Sequence, residues 1–73
     1  MTKKEMVIKA LRTYGCSDSF QIKGIIYRMF NEEISTSSIS GILRPLYAAG
    51  YVNKSNSTGK TVYWLTDYGK EKL

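Results

Sequence analysis

The sequence contains no histidine, one cysteine and one proline among its 73 residues. Without histidine, it lacks the commonest metal ligand and general base in proteins. Its six acidic residues are scattered along the chain, so neither a metal centre nor a nucleophilic site can be assembled from the side chains that are present. We therefore expect no enzyme, no catalytic residues, no metal or other cofactor, and no small-molecule substrate.

The single cysteine, Cys16, excludes a disulfide within the chain. We interpret it as an inert, partly buried thiol. The alternative is a bridge between two copies of the chain, which requires an exposed position and an oxidising setting.

Long hydrophobic runs are also missing. No apolar stretch approaches the roughly 18 residues that a membrane-spanning helix needs, and no signal-peptide pattern is present. We therefore expect a cytoplasmic protein without a membrane partner. The hydrophobic fraction of 42% is typical of a folded chain, and the length allows one domain.

The charge is unbalanced. Eleven Lys and Arg residues stand against six Asp and Glu residues, a formal net charge of +5. On so small a surface this excess favours polyanionic partners, chiefly nucleic acid.

Three stretches show the apolar spacing of amphipathic helices, at about residues 2–14, 20–31 and 36–49. Thr2 and Glu5 form a capping-box pattern at the start of the first helix. The predicted apolar stripe of the first helix is Val7, Leu11 and Tyr14, and that of the second is Ile22, Ile25, Ile26, Met29 and Phe30. The stripe of the third is Ile39, Ile42, Leu43 and Leu46. Ile34 is expected to fill the core between the second and third helices.

Pro45 lies inside the third predicted helix, where it removes a backbone donor and clashes with the preceding turn. We therefore expect that helix to bend near Gly41 and Pro45, or to break into two pieces. The β-branched and aromatic runs within residues 51–65 predict a β-hairpin whose tip contains Gly59 at positive φ. Residues 66–73 predict a turn or short helix capped by Thr66.

Three helices followed by a hairpin resemble a winged helix-turn-helix domain. The segment "SISGILRPLYAAGYV" is similar to the recognition-helix segment of MarR-, PadR- and ArsR-type transcriptional regulators. Its matching positions are Leu43, Leu46, Gly50, Tyr51 and Val52. The segment "GKTVYWLTDYGKEKL" resembles their wing and the helix after it. The resemblance implies an α+β, mainly α fold in one domain, residues 1–73, with a three-helix core, a two-stranded wing and a short C-terminal helix.

The resemblance also implies that the third helix reads double-stranded DNA. Residues 35–52 contain no acidic residue and a single charge, Arg44, and the face opposite the apolar stripe is small and hydroxylic. Such a face can approach a major groove closely, with hydroxyls for phosphates or bases and Arg for guanine. The predicted contacts are Thr36, Ser37, Ser38, Ser40, Gly41 and Arg44. The alternatives are that the serines only cap the helix, and that the small residues pack against another protein.

Three lysines complete the predicted DNA-binding set. Lys23 at the start of the second helix is predicted to contact phosphate, while Lys54 and Lys60 flank the tip of the wing. Lysines at a hairpin tip are equally an ordinary way to keep an edge strand soluble.

The sequence thus predicts a transcriptional regulator that binds specific duplex sites. We expect a homodimer whose recognition helices enter successive major-groove turns, about 34 Å apart. The dimer contact is expected on the first helix or the C-terminal segment, with exposed aromatic residues contributing. Two other functions are left open: a protein–protein interaction module, and an RNA or single-strand binder that stacks bases on Tyr51, Tyr63 or Trp64.

Overall fold

A computed structural model describes all 73 residues of the chain. In chain order the elements are α1 (Lys3–Tyr14), β1 (Ser17–Asp18), α2 (Ser19–Phe30), α3 (Thr36–Ala48), β2 (Val52–Ser57), β3 (Lys60–Leu65) and α4 (Asp67–Lys72). The three predicted helices, the hairpin and the C-terminal helix are all present, so the predicted fold class is confirmed. None of the four helices combines the length and the apolar character that crossing a membrane requires.

Each helix begins at a side chain that satisfies its free amides. Thr2 and Glu5 cap α1 reciprocally: the Glu5 amide donates to the Thr2 hydroxyl (3.1 Å) and the Thr2 amide donates to the Glu5 carboxylate (2.9 Å). Asp18 and Gln21 repeat this arrangement at α2. At α3 the cap is Ser35, whose hydroxyl accepts from the Ser38 amide (3.2 Å). These caps explain why the helix starts can be located from the sequence.

The sheet has one strand more than the two-stranded wing that the sequence predicts. Its order is β1-β3-β2, and both pairs are antiparallel. Ser17 lies opposite Tyr63, and Asp18 lies opposite Val62. A strand of two residues is too short to show an alternating pattern, so only its pairing with β3 reveals it. This pairing ties the segment between α1 and α2 to the wing.

The wing closes through Thr58 and Gly59, which both have positive φ, 51° and 78°. Two residues of this conformation form the mirror-image turn that matches the twist of a hairpin. Positive φ at Gly59 confirms the prediction. Thr58 is the more strained of the two residues, because a β-branched side chain disfavours positive φ.

The core joins all three long helices to the sheet. It consists of Met6, Val7, Ala10, Leu11, Ile22, Ile25, Ile26, Ile34, Ile39, Leu43, Leu46, Val52 and Leu65. Ile34 is 3% exposed, which confirms that it fills the core. Two stripe predictions are wrong: Tyr14 is 53% exposed at the last position of α1, and Met29 is 39% exposed near the end of α2. Both residues lie in the last turn of a helix, where no neighbouring element covers them.

Cys16 is exposed, so the prediction of a partly buried thiol is wrong. The adjacent Ser17 is the residue that faces inward; it is 3% exposed, and its hydroxyl donates to the Gly15 carbonyl (3.4 Å). Cys16 lies in the bend that precedes β1, so its side chain is outside the strand pairing that buries Ser17.

Helix α3 runs through Pro45 without interruption, so the predicted break into two pieces does not occur. The Ala49 amide still donates to the Pro45 carbonyl (3.0 Å), so hydrogen bonding resumes in the next turn. Pro45 is exposed, as is Gly41 one turn earlier, and neither residue interrupts the buried side of the helix. The face of α3 that the sequence predicts to contact DNA is therefore carried by one continuous helix.

Helix α4 and its cap are held by hydrogen bonds and ring stacking against the corner between α3 and β2. The Thr66 hydroxyl donates to the Gly50 carbonyl (2.7 Å) and accepts from the Gly69 amide (2.9 Å), so it caps α4 and holds the corner together. The Tyr51 and Tyr68 rings stack with centroids 5.2 Å apart. Gly69 is buried, and a Cβ there would collide with the Tyr51 carbonyl.

Candidate nucleic-acid interface

The outward side of α3 forms a shallow depression that no hydrophobic residue lines. Its lining is Ser19, Thr36, Ser37, Ser40, Gly41 and Arg44. Five of these are sequence-predicted contacts, and the structure brings them together on one side of the helix. The opposite side of α3 is buried through Ile39, Leu43 and Leu46. The two-sided pattern of the sequence is thus a real division between core and surface.

A second depression leads from α3 to the wing. It is lined by Asp18, Ser19, Phe20, Ser40, Gly59, Lys60, Thr61 and Tyr63. Ser19 and Ser40 border both depressions, so the two form one surface, which we call the α3–wing surface. Strand β1 explains this geometry. It pairs with β3, and because α2 follows β1 directly, the start of α2 lies beside the wing.

The charge of the α3–wing surface comes from Arg44 and Lys60, with Asp18 as its one carboxylate. The Asp18 carboxylate accepts a hydrogen bond from the Gln21 amide (2.8 Å), so it is occupied in capping α2. Arg44 and Lys60 are exposed. The surface therefore offers two mobile cations, hydroxyls and the free amides at the start of α3.

The other predicted contacts do not line this surface. The Lys54 ammonium lies over the Tyr47 ring, 4.6 Å from its centroid, at the end of α3. Lys23 lines a depression on α2 that adjoins the α3–wing surface at Phe20. Ser38 is half-buried, and its hydroxyl accepts from the Ser35 hydroxyl (3.0 Å), so it belongs to the cap of α3.

Six residues of the α3–wing surface are absent from the sequence-predicted duplex contacts: Asp18, Ser19, Phe20, Gly59, Thr61 and Tyr63. Tyr63 was considered only as a platform for single-stranded bases, and Gly59 only as a turn residue. These residues lie on one surface because β1 pairs with β3, and no pattern within the local sequence predicts that pairing.

The acidic and sulfur ligands do not converge anywhere. No group of three Cys, Asp or Glu side chains lies close enough to hold a metal ion. Hydrogen bonds from the Thr2 backbone and side chain lower the pKa of Glu5, and this reflects capping of α1, far from α3 in the sequence.

No family model and no curated protein matches this chain. Solved structures do match it over nearly the whole length. F93 from STIV, a winged-helix DNA-binding protein, superposes with a TM-score of 0.82 at 18% identity, covering 92% of this chain and 74% of F93. The chain has the winged helix-turn-helix fold.

Two bacterial regulators are similar in the same way. Bacillus subtilis PadR in complex with operator DNA has a TM-score of 0.78 and 24% identity, over 96% of this chain and 43% of PadR. A MarR family transcriptional regulator from Silicibacter pomeroyi has a TM-score of 0.78 and 25% identity, over 99% of this chain and 46% of the regulator. The chain thus spans less than half the length of either regulator.

Proposed function

We propose that this winged-helix chain binds specific sites on double-stranded DNA and regulates transcription as a homodimer, acting by occupancy without catalysis. Helix α3 enters the major groove, and the wing lies on the backbone or the minor groove. The observation that carries the proposal is the α3–wing surface: an acid-free, hydroxylic helix face with exposed Arg44, joined to a lysine-bearing wing. A cytoplasmic location stays a prediction.

The dimensions of α3 suit a groove. Its 13 residues make a rod about 20 Å long, and a helix with its side chains fits the roughly 12 Å width of the major groove. Ser37, Ser40 and Gly41 keep the exposed side thin, so the backbone can come close to the base edges. Long side chains such as Glu or Lys at these positions would keep the helix backbone further from the base edges, and the phosphates would repel Glu.

The residues of the surface suit different roles. Arg44 lies in the middle of α3 and can donate two parallel hydrogen bonds to a guanine, the commonest specific contact in major grooves. Thr36 and Ser37 lie at the start of the helix, where free amides and the helix dipole favour a phosphate. Lys60 at the wing is a point charge for the phosphate backbone. Lys23, Lys54 and Ser38 have at most a peripheral part.

The two other candidate functions have less support. A protein-docking surface normally has an apolar centre, whereas the α3 depression has no hydrophobic lining. A single-strand binder stacks bases on exposed aromatic rings. The three rings considered for this role, Tyr51, Tyr63 and Trp64, are only half-exposed, and Tyr51 is stacked on Tyr68, which leaves Phe20 as the one fully open ring of the α3–wing surface. One open ring supports base stacking less than the hydroxylic α3 face supports duplex DNA.

The first test is a fluorescence-anisotropy titration of mixed-sequence duplex at several salt concentrations. Wild-type binding should weaken steeply with salt. Lys60→Ala should flatten the logarithmic salt slope by about one unit, since one phosphate contact is lost. Lys72→Ala is the matched control, because it removes the same charge from α4, outside the α3–wing surface, and should leave the slope nearly unchanged.

Specificity is tested on a duplex selected from a random pool. Arg44→Ala should lower the affinity for the selected site by about 1–3 kcal/mol while changing non-specific binding much less. If the wild type binds duplex no better than a neutral protein of the same size, or if Arg44→Ala and Lys72→Ala behave alike on the selected site, the proposal is wrong.

A further inference from the structure

The outer side of α2 exposes more aromatic surface than the proposed DNA contact uses. Phe20 is 75% exposed and Tyr27 is 53% exposed, one at each end of the helix. They line a depression together with Lys23, Gly24 and Glu33. On the other side of Gly24 a second depression is lined by Tyr14, Cys16, Ser17, Gln21, Gly24, Ile25 and Arg28. We call these two depressions, centred on Gly24, the α2 face.

Gly24 has no role within the single chain that requires a glycine. It lies in the interior of α2, its φ is not positive, and a Cβ added there would meet no atom within 4 Å. Glycine at such a position costs about 1 kcal/mol of helix stability relative to alanine. The free space above Gly24 is therefore useful only to something that approaches α2 from outside, and the flanking aromatic rings make that neighbour apolar.

The charges of the α2 face distinguish it from the other large concave surface. A groove beside α1 has Ile8, Met29 and Leu73 as its apolar lining. Its charged residues are Lys4, Lys9, Arg12 and Lys72 against Glu5 alone. Two copies that met through this groove would bring like charges together. The α2 face instead carries two cations, Lys23 and Arg28, against one anion, Glu33, so its excess of positive charge is one rather than three. A second copy turned through a two-fold axis can bring Lys23 of one copy towards Glu33 of the other.

We infer that the α2 face is the surface through which two copies of this chain pair, with the two α2 helices antiparallel and crossing near Gly24. Phe20 lies four residues before Gly24 and Tyr27 three residues after it, so the two rings lie on either side of that crossing, about 6 and 4.5 Å away along the helix. An antiparallel pairing therefore sets Phe20 of one copy against Tyr27 of the other. The inference rests on the homodimer of the proposed function and replaces the contact through α1 or the C-terminal segment that the sequence suggested.

This pairing leaves the reading surface open. Neither depression of the α2 face includes a residue of α3, β2 or β3. Phe20 borders the α3–wing surface as well, so the dimer contact and the DNA contact adjoin. Because α2 has 12 residues and is about 18 Å long, the buried area lies at the low end for specific interfaces, and the free dimer is weak. Binding to two half-sites then stabilises it.

Sedimentation velocity without DNA, from low micromolar to near-millimolar protein, measures the dimer directly. Gly24→Gln should raise the dimer dissociation constant by at least about tenfold, because the side chain fills the space where the helices cross. Its free energy of unfolding at low concentration should not fall, since the position is open. Thr13→Gln on the exposed side of α1 is the matched control and should leave the dissociation constant unchanged.

A charge exchange tests the two-fold arrangement. Lys23→Glu and Glu33→Lys should each weaken the dimer, and the double variant should recover most of the loss. A double variant no better than the single ones would overturn the arrangement.

Two further outcomes would overturn the inference, whereas DNA binding itself is judged separately by the anisotropy titration. One is a wild type that stays monomeric at every concentration, with and without duplex, which would also overturn the homodimer of the proposed function. The other is a dimer whose dissociation constant is unchanged by Gly24→Gln but raised by Thr13→Gln. That result would place the interface in the α1 groove, and the chain would still be a homodimer.

Discussion

Replacing Gly69 with alanine should destabilise the protein, although alanine is the better helix former. Gly69 lies in α4 and is buried against the corner between α3 and β2. A Cβ at this position would overlap the carbonyl oxygen of Tyr51, a backbone atom that cannot turn aside. The variant can fold only if α4 moves away from that corner.

The cost follows from the contacts that such a movement breaks. The Tyr51 carbonyl accepts from the Thr66 amide (3.1 Å) and the Thr66 hydroxyl (3.2 Å), and the same hydroxyl donates to Gly50. Each hydrogen bond contributes about 1 kcal/mol, and the stacked Tyr51–Tyr68 pair adds about 0.5–1.5 kcal/mol. The Thr66 hydroxyl has one proton, so its two contacts count as one hydrogen bond beside that of the Thr66 amide. After subtracting the roughly 1 kcal/mol that alanine gains in a helix, we expect a loss of about 2 kcal/mol. For a domain of this size that is a fall in Tm of roughly 8–16 °C.

Urea unfolding at low micromolar concentration, followed by circular dichroism, measures the change. Gly24→Ala is the control, because it makes the same substitution in a helix where nothing lies within 4 Å, and it should raise the free energy of unfolding by up to about 1 kcal/mol. Equal effects of the two variants, or a Gly69→Ala protein as stable as the wild type, would refute the close approach of α4 to Tyr51.

Two smaller changes test the turn and the first cap. Thr58→Asn should raise the free energy of unfolding by about 1 kcal/mol, because asparagine tolerates the positive φ of the wing turn better than a β-branched residue, and no gain in thermal unfolding would contradict the mirror-image turn. Glu5→Gln keeps the capping-box shape but removes the charge. Because hydrogen bonds from Thr2 lower the pKa of Glu5 in the folded chain, the carboxylate stabilises the fold above the pKa of the unfolded state and loses this contribution as pH falls through the folded pKa. Wild type should therefore exceed Glu5→Gln in urea midpoint at neutral pH and converge with it in acid; a gap that persists in acid would contradict this assignment.

Much of the fold could be predicted because its signals are local. Thr2 with Glu5 marks the start of α1, the spacing of Ile39, Leu43 and Leu46 marks the buried side of α3, and Gly59 marks the wing turn. Each signal involves residues that are close in sequence and touch one another in the folded chain. Such contacts are readable without knowing where the rest of the chain goes.

The errors fall where neighbours distant in the sequence decide the outcome. Tyr14 continues the apolar spacing of α1 but has no element above it, so it is exposed. Strand β1 exists only because β3 pairs with it. In both cases the outcome depends on whether an element distant in the sequence packs against the residue.

The sequence by itself determined the order of the four helices and the wing hairpin, most of the buried side of each helix and the acid-free outward face of α3, because periodicity and capping depend on residues within a turn or two. Only the tertiary structure decided that Ser19, Ser40 and Lys60 share one surface, that α4 is held against Tyr51, and that the aromatic residues of α2 surround an open Gly24. These features depend on how the packed core orients whole helices and strands relative to one another. That orientation is a property of the assembled fold.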